Sequence, residues 1–223
     1  MKTPKDFRDF LAVRSIVEVR FPRAHKYWDD CGKLIETLET RVNGVTCAGL
    51  DAKGFNFVGS DSCPILGARF FWDRVLIEQQ SGVSPRKFLE SAEEFWRLSA
   101  LGLGVGHVAG VGHRLWYLLK SEDKKEAEDW LQAQRVWSSV ADLGGTPSND
   151  GVVLRAHLTD RSLRLEIGVA DVLIRQDRKL TGVLMDTDFT SRKKQPVDSL
   201  DLDVFGNENL TWLKHRLHQV IQQ

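Results

Sequence analysis

The chain is dominated by segments in which apolar and polar residues alternate, and this feature limits its fold more than any other. Within residues 15–21, Val17 and Val19 fall on one side and Glu18 and Arg20 on the other. The same alternation returns in three later segments: 105–119, 162–174 and 181–189. A period of two predicts strands with one buried and one exposed face. The chain must therefore bury one side of an extended sheet.

Helices are predicted singly between these strands. Ser84 and Pro85 form a helix start, with a cap residue followed by proline at the first helical position. Apolar residues at helical spacing predict three further helices, over 26–42, 121–134 and about 208–221. Residues 45–51 and 54–59 read as short strands, and 65–79 read as two strands or one long bent strand. Because strands adjoin strands, this order favours an α+β protein with mainly antiparallel sheet and a few helices packed on one face.

A segment rich in glycine, proline and asparagine divides the chain. Residues 144–151 read GGTPSNDG, the composition of a linker loop. The prediction is an N-terminal α+β half over 1–143 and a C-terminal β-β-β-α half over 152–223. With 223 residues, the chain is long enough for one large domain or two small ones.

Charge and cysteine content exclude several classes of protein. Lys plus Arg and Asp plus Glu are both 31, so no net charge attracts nucleic acid or anionic lipid. The three cysteines are widely spaced without a CxxC pair, which predicts free thiols in a reducing cytosol. The charged N-terminus lacks a signal-peptide core, and no apolar stretch is long enough to cross a bilayer. We therefore expect a cytoplasmic protein without a membrane partner.

Carboxylates on one predicted strand are the first candidates for chemistry. Asp186 and Asp188 lie two residues apart and share a strand face, and Glu166 lies on a neighbouring predicted strand. Asp201 and Asp203 repeat the same spacing. Convergent carboxylates can hold magnesium or manganese for phosphodiester chemistry. The catalytic candidates are thus Asp186, Asp188 and Glu166, with the first two as metal ligands, while a solvated strand face gives the same pattern.

Arginine and tryptophan provide a second set of candidates, for binding. Arg114 and Trp116 share one face of a predicted strand, and Trp212 lies among basic residues of the terminal helix. Aromatic rings beside cations can stack on a ligand or form the centre of a protein interface. The binding candidates are therefore Arg114, Trp116 and Trp212. His113, on the opposite face of that strand, is predicted to be a hydrogen-bonded, half-buried residue.

The terminal helix is predicted to cover the C-terminal sheet. Leu210, Leu213, Leu217 and Val220 recur at spacings of three, four and three, which builds one apolar stripe. A helix of about 15 residues is marginal alone in water, so the stripe must dock. The nearest apolar sheet face carries Leu163, Leu165, Ile167, Val183, Met185 and Phe189. Such docking turns the two strand aspartates to the opposite face.

Three segments resemble a sporadically distributed family of prokaryotic proteins. The first is the early strand SIVEVRF, and the second is the aromatic helix over 88–96 followed by the strand GHRLWY. The third is the DTD sequence at 186–188 with the closing helix that contains Leu217 and His218. The family has no established function, so the resemblance implies no reaction. Its distribution implies mobile-element or defence-associated genes, phage defence among them.

Three functions follow from these patterns. The leading expectation is a non-enzymatic binding or assembly module that acts through a protein partner or a second copy, because aromatic residues are plentiful and the charge is balanced. The first alternative is a metal-dependent enzyme acting on nucleic acid or nucleotides, the only function that requires a divalent cofactor. The second is a small-ligand or lipid carrier with an enclosed apolar cavity.

Overall fold

The chain folds into strands and a few single helices, as its α+β pattern predicts. The computed structural model describes residues 9–51, 54–133, 146–148, 151–157, 160–174 and 178–221. The strands are β1 (Leu11–Arg20), β2 (Val45–Asp51), β3 (Gly54–Gly59), β4 (Ile65–Phe71), β5 (Arg74–Gln79), β6 (His107–Val108), β7 (Gly110–Lys120), β8 (Thr146–Ser148), β9 (Gly151–His157), β10 (Ser162–Ile174), β11 (Arg178–Ser191) and β12 (Gln195–Pro196). The helices are α1 (Cys31–Arg41), α2 (Pro85–Leu103), α3 (Lys124–Ala133) and α4 (Leu202–Ile221), with 3₁₀ turns at His25–Tyr27 and Val197–Ser199.

Two compact units group these elements. The N-terminal unit comprises the described parts of Ser15–His113 and Thr190–Glu208. The C-terminal unit comprises the described parts of Met1–Arg14, Arg114–Phe189 and Asn209–Gln223. Strands β1 and β7 and helix α4 each contribute residues to both units.

The compact units differ from the predicted halves 1–143 and 152–223. Each unit combines segments that are distant in sequence, because strand pairing rather than chain order brings residues together. Four of the eight residues of the predicted linker 144–151 lie outside the described residues. Three of its residues, Thr146–Ser148, form strand β8, which pairs antiparallel with β9.

In the N-terminal unit, an antiparallel sheet in the order β2-β3-β4-β5-β1 buries one face. The register aligns Phe55, Phe70, Val75 and Val19 in one row across four strands. All four side chains are fully buried. We call this side the inner face of the unit, and the opposite side its outer face.

Helix α2 packs on this inner face. Its N-terminal cap is Ser84, with Pro85 at the first helical position, so the predicted helix start is confirmed. Gly104, in the left-handed conformation, ends the helix. The ring centroid of Phe95 lies 5.6 Å from that of Phe70, which joins the helix to the sheet through an aromatic core.

Helix α1 is shorter than the predicted helix over 26–42. It begins at Cys31, because the preceding 3₁₀ turn inserts Tyr27 into the core. The Tyr27 ring stacks on Phe55 with 5.2 Å between centroids. Leu34 and Leu38 are the buried residues of the helix itself. Packing of one aromatic ring thus overrides the helical periodicity at this end.

In the C-terminal unit, α4 packs on one face of a sheet in the order β7-β11-β10-β9-β8. The ring centroids of Phe189 and Trp212 lie 5.6 Å apart, which places the helix on the face that carries Phe189. The residues buried at this inner face are Leu163, Leu165, Ile167, Val183, Met185 and Phe189 from the sheet and Leu210 and Leu213 from the helix. The predicted docking is confirmed for these side chains, whereas those of Leu217 and Val220 lie outside the described part.

Helix α4 begins at Leu202, six residues before the predicted start at Glu208. Asp201 Oδ1 accepts a hydrogen bond from the Val204 amide at 2.8 Å, as a helix-capping carboxylate does. Asp203 Oδ1 accepts one from the Asn207 side chain at 2.9 Å. The two aspartates that repeat the strand spacing therefore stabilise a helix start.

Candidate functional site

Strand β11 places the candidate carboxylates on the outer face of the C-terminal unit, opposite α4. Met185, Thr187 and Phe189 are buried on the inner face, so Asp186 and Asp188 point away from the helix. This is the predicted orientation. The Asp186 side chain is only 13% exposed, which indicates that it has partners on the outer face.

The partner of Asp186 is Arg114 on the neighbouring strand β7. Arg114 Nε donates to Asp186 Oδ1 at 2.8 Å, and its Nη2 donates to Oδ2, so the pair is bidentate. These hydrogen bonds raise the pKa of Arg114 above its ordinary value, and the charges of Asp188 and Glu166 raise it further. Two sequence-predicted sets, the carboxylates and the arginine, are thus brought together.

Two of the three predicted carboxylates lie beside arginine side chains. Glu166 accepts a hydrogen bond from Arg164 Nη2 at 2.5 Å and so also faces an arginine. Within the part of the chain that the structure describes, no group of three histidine, cysteine or acidic residues can hold a metal ion. Asp186 and Glu166 each pair with an arginine, and the role of Asp186 and Asp188 as metal ligands stays a prediction.

Trp116 lies between two guanidinium groups on the same strand face. The Cζ atoms of Arg14 and Arg114 lie 5.0 and 5.2 Å from its ring centroid, within cation–π range. Its indole Nε1 is buried and has no hydrogen-bond partner among the described residues. We call Arg14, Arg114, Trp116 and Asp186 the arginine–tryptophan patch.

Trp212 does not belong to this patch. Its edge-to-face contact with Phe189 holds it against the inner face of the sheet, whereas Trp116 and Arg114 lie on the outer face. Trp212 thus lies on a different face from Arg114 and Trp116, and the role of these three residues in binding stays a prediction. Trp212 packs against the core because the apolar side of α4 docks on the sheet.

His113 is more deeply buried than predicted. Its side chain is 1% exposed, and its Nε2 lies 3.0 Å from the Ser15 hydroxyl. Burial lowers the pKa of His113 to about 3, because a charged imidazolium loses its hydration. Its Nδ1 has no hydrogen-bond partner among the described residues. A neutral buried imidazole of this kind contributes to the core and not to a surface site.

The N-terminal unit carries a second set of surface residues, which the sequence patterns did not reveal. It comprises Arg20, Arg23, Arg69, Phe71, Trp72 and Arg74, which we call the arginine–aromatic cluster. Its centre is the β4–β5 hairpin. The Phe21 amide donates to the Asp73 carbonyl at 2.9 Å and the Ala24 amide to the Trp72 carbonyl at 3.0 Å, so the hairpin tip is held against the segment that follows β1.

Guanidinium groups lie over both aromatic rings of the cluster. Arg23 Cζ is 4.1 Å from the ring centroid of Trp72. Arg69 and Arg74 place their Cζ atoms 5.1 and 4.9 Å from the ring centroid of Phe71. Stacking on a ring restricts the rotamers of a long side chain, so the arginines are oriented by neighbours within the same unit.

Arg69 and Arg74 form only long ion pairs with the carboxylates around them. Arg74 lies 3.9 Å from both Glu18 and Asp73, and Arg69 lies 3.7 Å from Asp51. These distances exceed those of hydrogen bonds. Arg69 Nε is buried and has no hydrogen-bond partner within the described part of the chain. Arg69 and Arg74 are therefore less closely paired with carboxylates than Arg20, which binds Glu18 at 2.8 Å.

The register also places two of these arginines directly opposite each other. Arg20 on β1 is the cross-strand partner of Arg74 on β5. Glu18 bonds to Arg20 at 2.8 Å and lies 3.9 Å from Arg74, so one carboxylate serves both cations. The available signal was the sequence RFFWDR at 69–74, but the opposing Arg20 becomes evident only with the strand register.

A groove between α1 and α2 in the N-terminal unit has a volume of about 590 Å³. Its lining combines charged residues such as Lys26, Lys33 and Arg41 with the apolar residues Leu34, Leu98 and Leu101. This mixed lining differs from the enclosed apolar cavity that the predicted carrier requires. None of the described helices is both long enough and apolar enough to cross a membrane.

Comparison with known proteins assigns the chain to no group. No protein-family model matches it, and no curated protein matches it. The resemblance to the sporadically distributed prokaryotic family remains a prediction. Function must therefore be inferred from the two surface sites themselves.

Proposed function

We propose that the protein is a binding module that contacts a protein partner through the outer face of its N-terminal unit. The observation that carries this proposal is the arginine–aromatic cluster. Arginine and tryptophan are enriched among the residues that contribute most to protein–protein affinity. Here they are held in place by stacking and by the backbone hydrogen bonds of the β4–β5 hairpin.

Exposed apolar surface supports a contact role for this face. Trp72 is 46% exposed, and Val58, on the outer face of β3, is 49% exposed. Single exposed apolar residues are common on monomeric proteins. These two accompany four arginines, and this combination matches the composition of an interface centre rather than that of an ordinary solvated face.

The charges of the cluster favour protein over nucleic acid. Carboxylates of Glu18, Asp51 and Asp73 lie within 4 Å of its guanidinium groups, so the cluster is a mixed-charge surface and not a continuous row of cations that could neutralise successive phosphates. In the C-terminal unit, Arg114 is likewise paired with Asp186. Nucleic-acid sites neutralise phosphates with unpaired lysine and arginine. Mixed charges of this kind fit the surface of another protein, and the net charge of zero agrees with this.

An affinity purification from the native host tests the proposal. The tagged full chain is compared with the Trp72→Ala variant and with Trp28→Ala as the matched control, because Trp28 is 54% exposed and lies outside the cluster. Wild type and the control should recover the same stoichiometric protein partner, or a second copy of the chain, and Trp72→Ala should lose it. Equal recovery by all three proteins, or recovery of nuclease-sensitive nucleic acid alone, would overturn the proposal.

A further inference from the structure

We infer that the arginine–aromatic cluster binds an acidic segment of the partner, whose Asp or Glu carboxylates are seated on Arg69 and Arg74. This inference rests on the proposed function and specifies the chemistry of the bound segment. It concerns a surface within one compact unit, formed by the outer faces of β1, β4 and β5 and the hairpin tip.

The geometry of the stacks prepares the arginines for a carboxylate. The Cζ atoms of Arg69 and Arg74 lie 5.1 and 4.9 Å from the ring centroid of Phe71, within cation–π range. A cation–π contact orients the guanidinium group and leaves N–H donors for a carboxylate. Because the ring holds both side chains before a ligand arrives, binding costs less conformational entropy than it would with mobile arginines.

Arg69 and Arg74 are paired only loosely within the unit. Each guanidinium carries five N–H donors. Arg74 has two carboxylates at 3.9 Å, and Arg69 has one at 3.7 Å, so none of these contacts is a hydrogen bond. Arg114 in the C-terminal unit differs, since Asp186 already accepts two of its hydrogen bonds. A carboxylate from a partner can form hydrogen bonds with Arg69 and Arg74.

The cross-strand position of Arg20 and Arg74 supplies an electrostatic reason for the same ligand. Like charges directly opposite each other on an antiparallel pair destabilise a sheet. Glu18 lies beside both arginines, but its distance to Arg74 is 3.9 Å. An additional carboxylate at this position would lower the repulsion and form charge-assisted hydrogen bonds.

The ring faces argue against a stacked nucleotide base at this site. Phe71 is covered by Arg69 and Arg74, and Trp72 is covered by Arg23. Single-stranded nucleic acids bind by stacking bases on accessible aromatic faces. The part of Trp72 that is exposed can instead contact an apolar side chain next to the acidic one.

A peptide-binding measurement on the full chain tests this inference. The probes are a fluorescein-labelled peptide of alternating Glu and Leu, the same peptide with Gln in place of Glu, and labelled single-stranded oligothymidylate. The Glu peptide should bind in a salt-sensitive manner and the Gln peptide should not. Arg74→Gln and Arg69→Gln should each weaken binding of the Glu peptide by about tenfold. Arg86→Gln should leave it unchanged, because Arg86 lies on α2 outside the cluster and is 78% exposed.

A second variant tests the same surface by a gain in affinity. Glu18→Gln removes the carboxylate that competes for Arg20 and Arg74 and should tighten binding of the Glu peptide by a few-fold. Circular dichroism confirms that each variant is folded. Equal binding of the Glu and Gln peptides, tighter binding of oligothymidylate, or no response to any cluster variant would overturn the inference. If these results occur while Trp72→Ala still loses the host partner, the proposed function stands and only the acidic nature of the partner is wrong.

Discussion

Phe70 and Phe71 are adjacent on β4, yet the pleat of the strand directs them to opposite faces. Phe70 is fully buried and stacks on Phe55 with 4.7 Å between ring centroids. Phe71 lies on the outer face under the guanidinium groups of Arg69 and Arg74. The same residue type thus stabilises the fold on one side of the sheet and orients charged groups on the other. The inner face accounts for stability, and the outer face carries the surface that we propose for binding.

Truncating the two phenylalanines one at a time tests whether the two faces differ in their contribution to stability. Phe70→Ala should lower the free energy of unfolding by about 3–5 kcal/mol, because it leaves a cavity in the aromatic core. Phe71→Ala should lower it by only about 1 kcal/mol, since it removes two surface cation–π contacts. Urea denaturation measures both. Comparable losses in the two variants would show that the outer face is part of the stabilising core.

Acid sensitivity tests the buried state of His113. Its pKa in the folded protein is about 3, below the value of about 6.5 for an unfolded chain. The unfolded state therefore binds the proton first as pH falls, and folded-state stability decreases between about pH 6.5 and 3. Between pH 7 and pH 5 the loss from this one group should be about 2 kcal/mol.

The measurement is urea denaturation at several pH values for wild type and His113→Gln. The variant should lack this part of the pH dependence, whatever its stability at pH 7. Parallel pH profiles for the two proteins would mean that His113 is hydrated or charged in the folded state. Working above pH 5 keeps most carboxylates ionised, so that their titration does not dominate the comparison.

A smaller loss of stability is expected when the ion pair between Arg114 and Asp186 on the outer face is removed. Asp186→Asn should reduce stability by about 1 kcal/mol, because the bidentate pair is lost while Arg114 keeps partial contact with water. Glu166→Gln should cost less, since its side chain is 44% exposed compared with 13% for Asp186. Thermal unfolding with and without manganese provides the control. A manganese-dependent increase in Tm that Asp186→Asn abolishes would contradict the assignment of these carboxylates to arginine.

The smallest effect is expected in the difference between Trp72→Ala and Trp28→Ala. Trp72 is 46% exposed and Trp28 is 54% exposed, so both variants lose similar packing. Trp72→Ala should cost about 0.5–1 kcal/mol more, because it also loses the Arg23 contact at 4.1 Å. Chemical denaturation of Trp72→Ala beside Trp28→Ala checks this, since both rings are about half exposed. A loss of several kcal/mol in Trp72→Ala alone would show that the cluster is structural and would weaken its assignment as a binding surface.

The alternation of apolar and polar residues was enough to predict which residues face the core and which face outward. Alternation predicted Val17 and Val19 as buried, and the stripe of the terminal helix predicted the docking of Leu213 on the C-terminal sheet. From that docking followed the outward orientation of Asp186. These properties are local, because a period of two assigns a face to each residue before any partner strand is known.

The contacts between outward-facing residues became evident from the tertiary structure. Arg114 and Asp186 are separated by 72 residues in sequence, and Arg20 and Arg74 become neighbours solely through the pairing of β1 with β5. The order and register of strands depend on contacts between distant parts of the chain, and alternation does not specify them. For this reason the carboxylates could be predicted as a group, while the arginine that compensates them and the arginine–aromatic cluster emerged only from the folded chain.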